Sequence, residues 1–208
     1  VDGWLPMIDN VTATRISEAM ANQTVFHTFT GKHKCMLSID SVEIAEGMIV
    51  EATGEYNNAS AKINTLEKPT IETSVPIVKL STSKQSKNVL GVYNKVNTVE
   101  MGTDYFSYNQ NSDNKSIEST HEINSLGEGA IWITNINGNL ENGDYITTCE
   151  IPGYGMKQDT EMLCNYTVAK ITMDCDFDLD ADNYECVEVE HEGTTYRAAF
   201  VGCTYHCG

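Results

Sequence analysis

The sequence predicts an all-β fold, or a β-rich one with a few short helices, arranged as compact antiparallel sheets of barrel-like form. Three observations carry this. From Gly127 to Leu179, glycine and asparagine punctuate short runs of branched and aromatic residues, leaving no room for a long helix. Near the C-terminus, YECVEVEH and TYRAAFVGCTY flank Glu192-Gly193 and read as a clean hairpin. Helix signals are sparse, and no repeat is visible at the scale of a structural unit.

The elements follow in order. Residues 1–34 are the least regular and read as a lead-in to a β-rich domain over 35–208, with a short helix at Ile16–Met20 after Thr12 or Thr14 as its cap. VFHTFTGKHKCMLSI alternates well enough for one or two strands. MIVEATGEY reads as a strand with Thr53-Gly54 turning behind it. Residues 57–75 are polar and read as loop. PIVKLS and NVLGVYN, on either side of a Ser/Lys/Gln stretch, are expected to form a hairpin. Residues 94–121 are a polar excursion with one candidate strand at Thr103–Tyr108. IWITNI and DYITTCEI are expected to pair across Asn137-Gly138, and Pro152-Gly153 closes the second strand. Asp159–Cys164 gives at most two helical turns, and NYTVAKITM reads as a further strand.

At 208 residues, with 40% hydrophobic content, the chain buries a real core and is no disordered acidic tail. A formal net charge of -17 repels nucleic acid and anionic membrane. No apolar run approaches the roughly 20 residues that span a bilayer; Ala130–Thr134 has strand length. The chain opens at Val1 without a charged-then-apolar leader and is read as a fragment of a longer product. Seven cysteines, an odd number, read mostly as reduced thiols, with one bridge among Cys175, Cys186, Cys203 and Cys207 left open. Sequons at Asn10, Asn22, Asn58, Asn114 and Asn165 are read as chance in so Asn-, Ser- and Thr-rich a chain.

Two constellations carry candidate chemistry. In DCDFDLDADNYE, Asp174, Asp176, Asp178, Asp180, Asp182 and Glu185 stand at positions 1, 3, 5, 7, 9 and 12 of a calcium loop. Hard oxygens at that spacing suit Ca²⁺, the cofactor this segment would take. Against it, Leu179 stands where a sharp turn wants glycine, Phe177 interposes a large apolar group, and a strand rather than a helix precedes. The competing reading is a solvated acidic loop, or a strand with its acids on one face. At the chain's end, Cys203, His206 and Cys207, with Cys186, Cys175 or His191, offer tetrahedral zinc ligands without the spacing of a knuckle or ribbon. The competing reading is buried thiols beside a surface histidine. No nucleophile elbow, metalloprotease helix or phosphate loop occurs, and His27, His33 and His121 read as ordinary histidines. Trp132, Tyr145 and Tyr166 read as core, with a subunit seam or sugar stacking as the alternative.

Several phrases carry a family resemblance: FTGKHKC at 29–35, GMIVEATGEY at 47–56, NVLGVYN at 88–94, the Gly127–Leu179 block with NGDYIT, IPGYGMKQD and NYTVAKI, and the closing AFVGCTYHCG. The chain resembles the C-terminal domain of fibre-like proteins of large DNA viruses, which is distantly like the intramolecular-chaperone, self-cleaving domains of phage tailspikes and neck appendages. The resemblance implies a homotrimer that sets the three chains of a parent fibre in register, on a virion appendage assembled in the host cytoplasm. It also implies carboxylate-based self-cleavage. The acidic Asp-Tyr-Ala-Glu motif of the phage-type domains is absent; Thr103-Asp104-Tyr105 lacks the rest, so no catalytic residue is assigned. The alternative function is a β-rich fibre head that binds host-surface glycan, for which the polar loops at 57–75 and 94–121 are suited.

Overall fold

A computed structural model describes residues 30–38, 44–58, 68, 74–97 and 120–207. The expected helix at 16–20, the strand at 103–108 and His27 lie outside these residues. The described residues form ten strands: β1 (Thr30–Leu37), β2 (Ile49–Asn58), β3 (Ser74–Leu80), β4 (Val89–Asn97), β5 (Thr120–Thr134), β6 (Tyr145–Thr148), β7 (Gly155–Lys157), β8 (Thr167–Ile171), β9 (Glu185–His191) and β10 (Thr194–His206). The described residues are nearly all β, with no helix of seven residues or more among them. The first described residue, Thr30, already lies in β1.

The sheet closes on itself twice. Its order is β1-β3-β2-β4-β5-β7-β6-β8-β10-β9, and β5 also pairs with both β1 and β10. The first ring therefore runs β1-β3-β2-β4-β5 and the second β5-β7-β6-β8-β10. Each contains one parallel contact, β1–β3 and β5–β7, among antiparallel ones. Closure leaves few exposed strand edges.

The cores confirm the two rings. Cys35, Val50, Val78, Leu80, Tyr93 and Ile123 fill the first, with every strand of the ring represented. The larger second core gathers Ile131, Ile133, Ile146, Val168, Ile171, Val201, Cys203 and Tyr205, and takes in Ile49 and Val92 from the first ring. Strand periodicity explains the selection. In β10 the odd positions from Ala199 to Tyr205 are buried, and Cys207 continues the pattern.

β5 is the wall common to both rings. β1 and β10 each pair with Leu126 and Gly127, so they lie on opposite edges of β5. On one edge β4 ends at Asn124 and β10 takes over at Leu126. On the other, β1 leaves at Gly127 and β7 arrives only at Ile133. Backbone groups in that gap need other partners. The Ala130 N–H donates to the Tyr205 hydroxyl at 3.0 Å, and that hydroxyl donates to the Ala130 carbonyl at 2.8 Å. The Trp132 N–H donates to the Gly47 carbonyl at 3.1 Å. To reach Ala130, the Tyr205 side chain crosses Gly129, where a Cβ would overlap the ring.

Two expected hairpins do not form, for one reason. β3 and β4 flank β2 on its two edges instead of pairing with each other. Their link, residues 81–88, is longer than a tight turn and crosses β2, with the Ser81 N–H donating to Ile49 and the Ala52 N–H to Asn88. β5 and β6 are likewise separated by β7. After the 3-10 turn at Asn135–Asn137 the chain bonds to Cys175 through Leu140, and β6 enters beside β8. Asp159–Cys164 is a bent loop without helix, held by the buried Gln158 amide, which donates to the carbonyls of Thr160 and Met162.

The two local turns form as read. Glu192 and Gly193 have φ of 49° and 78°, and β9 and β10 pair outward from His191 and Thr194. This is the primed geometry that matches strand twist. Pro152-Gly153, with φ of 80° at the glycine and the Tyr154 N–H on the Ile151 carbonyl, is a type II turn joining β6 to β7.

Tyr205→Phe is expected to cost about 1–3 kcal/mol in urea denaturation, because two backbone groups of β5 lose their partner. Gly129→Ala should cost a similar amount by displacing the Tyr205 ring. The double variant should cost less than the sum, since both act on the same contact.

Candidate functional site

A buried polar group lies where the two rings meet. Glu51 on β2 is only 6% exposed. It accepts a hydrogen bond from the Ser86 hydroxyl at 2.6 Å and pairs with the Lys79 ammonium at 3.4 Å. The Ser86 N–H donates to the Thr148 hydroxyl oxygen at 2.9 Å, and that hydroxyl donates to the Ser83 carbonyl at 2.7 Å. Thr148 belongs to β6, so the group ties the 81–88 link of the first ring to the second. Beside it, the Ile49 N–H donates to Gly153 and the Gly153 N–H to Ser81, making a second tie.

A serine hydroxyl held against a carboxylate is the start of a nucleophile–base pair. Here the arrangement is closed. The hydroxyl is spent on Glu51, the Glu51 carboxylate on Lys79, and the Ser86 N–H, which an oxyanion site would need free, on Thr148. Its chemistry is that of a clasp. Sequence reasoning missed it. The one signal was a charged Glu51 inside the apolar run MIVEA; nothing marks Ser86 among its polar neighbours.

The acidic segment uses its carboxylates locally. Asp174 accepts from the Asn142 N–H at 2.7 Å. Asp176 accepts from the Tyr184 hydroxyl at 2.5 Å and the Asp178 N–H at 3.3 Å, and Asp178 from the Asp180 N–H at 3.1 Å. Asp180, Asp182 and Glu185 are exposed. Between the first three acids, Cys175 and Phe177 are buried. Phe177 adopts φ of 60°, costly for an aromatic residue; its ring sits in the second core and its carbonyl accepts from Arg197 at 3.1 Å. The spacing that fits a calcium loop is thus also an alternation of buried and exposed positions. Among the described residues, no three His, Cys, Asp or Glu side chains gather to hold a metal ion.

Cys203 and Cys207 point into the second core, and the Cys207 thiol donates to the Val168 carbonyl at 3.4 Å. His206 falls on the opposite face, half-buried against Tyr145, so the structure separates the three. All seven cysteines are free. Burial pushes the thiols of Cys35, Cys203 and Cys207 up to about 12 and that of Cys149 to about 11, which keeps them protonated and unreactive. His121 is hydrogen-bonded, its Nδ1 3.0 Å from the Tyr93 hydroxyl, and burial lowers its pKa. Trp132 packs tilted against Phe200 and edge-to-face with Tyr154, over Gly47, where a Cβ would lie 2.8 Å from the indole. No helix of the described residues is long and apolar enough to cross a membrane.

Compared with protein-family models, with curated proteins and with solved structures, the chain finds no match.

Ser86→Ala is expected to cost about 1–3 kcal/mol in urea denaturation, because Glu51 stays buried with a weaker partner. Lys79→Met should cost less than about 1 kcal/mol, since Lys79 is half-exposed and its ion pair is screened. Asp176 is held below its usual 3.8 chiefly by the Tyr184 hydroxyl. Tyr184→Phe should therefore raise the Asp176 titration midpoint toward 3.8 in carboxyl NMR. With the native-state value depressed, the contribution to stability is present above the unfolded value and lost as pH falls through the folded one; the variant should show less of this acid-side loss.

Proposed function

We propose that this chain is an assembly module of a viral fibre or appendage, a C-terminal trimerisation or intramolecular-chaperone domain. One observation supports the reading above others. Four of the phrases that carry the family resemblance are contiguous in the fold. NGDYIT leads into β6, IPGYGMKQD makes the type II turn and β7, NYTVAKI is β8 and AFVGCTYHC is the inner half of β10. Together they build four of the five strands of the second ring. A compact ring of this kind suits a module that folds first and raises the local concentration of the chains it joins. Long-range strand pairing is otherwise slow and exposed to aggregation. The net charge of -17 opposes association, so the seam is apolar; Leu126, Met162 and Leu163 are the most exposed large apolar side chains among the described residues. No residue is assigned to self-cleavage.

A second reading, a fibre head that binds host-surface glycan, draws on the half-buried Trp132, Tyr154 and Phe200, which form an aromatic group of the kind sugars stack on.

Multi-angle light scattering at physiological salt tests the first reading. A mass three times the 23.0 kDa chain is expected. A monomer at micromolar concentration overturns the trimer and leaves the glycan head, which a glycan array then examines.

A further inference from the structure

Of the ten described strands, β9 alone has a single neighbour. Its register with β10 fixes which of its backbone groups are open. The two-residue turn makes His191 and Thr194 a hydrogen-bonded pair, and such pairs alternate along an antiparallel ladder. Val189 and Val187 thus bond to Tyr196 and Ala198. The N–H and C=O groups of Cys186, Glu188 and Glu190 point away from β10, and among the described residues they make no other backbone bond. That is an open edge long enough for a strand of about five to seven residues.

The charged side chains along this edge are carboxylates. Glu185, Glu188, Glu190 and Glu192 are exposed, and Asp180 and Asp182 precede them on the loop. Arg197 lies opposite Glu188 on β10, and its guanidinium donates to the Phe177 carbonyl. A second β9 would set glutamate against glutamate, which blocks self-pairing of the edge. The same charges favour an extended segment with lysine or arginine at alternate positions.

We propose that the β9 edge docks an extended basic segment of another protein by strand addition, backbone bonds at Cys186, Glu188 and Glu190 supplying the register and Glu188 and Glu190 the charge selectivity. The reading is independent of trimer formation.

Amide hydrogen exchange on the full chain, with a capped peptide of alternating lysine and valine about seven residues long, tests it. In the free protein, the amides of Glu188 and Glu190 should exchange fast and that of Val189 slowly. Added peptide should slow Glu188 and Glu190 about tenfold or more and leave Val189 unchanged. Glu188→Pro removes an outward N–H while leaving the bonds to β10, and should weaken binding about tenfold. Glu188→Gln with Glu190→Gln, which leaves the backbone intact, should weaken it comparably and flatten its salt dependence. The proposal is overturned if Glu188 and Glu190 are already protected in the free chain, so that the edge is covered. It is equally overturned if a lysine–proline peptide of the same charge binds as well, if neither variant weakens binding, or if the protein pairs with itself through β9.

Discussion

The structure depends on one strand serving two rings. β5 is the longest strand, at 15 residues, and its partners change midway. On one edge the exchange is continuous, from β4 to β10. On the other, no described strand lies beside the stretch from Glu128 to Trp132. Unsatisfied backbone there would cost about as much as several lost hydrogen bonds. A tyrosine hydroxyl and a glycine carbonyl fill the places of the missing strand. Tyr205 comes from the last strand of the second ring, and Gly47 from the segment that opens β2 of the first. The gap in β5 is therefore also where the two halves are joined.

The junction is reinforced by groups whose freedom is restricted. Gly47, at φ of 86°, lies under Trp132 and Phe200, while Gly153, at 80°, bonds to both Ile49 and Ser81. A side chain at either place would meet a neighbour and occupy a disfavoured backbone region. The Glu51–Ser86–Thr148 group adds polar bonds across the same junction. Ile49 and Val92, strand residues of the first ring, pack in the core of the second. Backbone bonds, polar side chains and apolar packing all cross one seam, and separation of the rings would break all three together.

Apart from the clasp at the junction, most of the described acids lie outside. The acids of 174–192 sit on the surface of the second ring and the β9–β10 hairpin, apart from the buried, protonated thiols. No nucleophile with a free base emerges at the junction, and the Asp174, Asp176 and Asp178 carboxylates accept from N–H and hydroxyl donors. Among the described residues, the open surface includes one strand edge, at β9, and the exposed apolar side chains of Leu126, Met162 and Leu163.

The sequence by itself determined the β class, the type and place of most strands, and the two turns whose chemistry is local. Glu192-Gly193 and Pro152-Gly153 could be read because φ preference belongs to the residues that form the turn. The alternation in β10 could be read because strand periodicity is local as well. Pairing could not. A strand has two edges, and PIVKLS or DYITTCEI carries no mark of which neighbour takes which edge, so links too long for a tight turn were free to cross another strand. The junction was hidden for the same reason: Glu51, Ser86 and Thr148 are far apart in sequence, and the charge of Glu51 inside MIVEA does not name its partners. The acids from Asp174 to Asp178 were legible as a spacing but not as a use, because alternate ligands and alternate strand faces share a period of two. Only the tertiary structure, by burying Cys175 and Phe177, decided which side of that period faces the core.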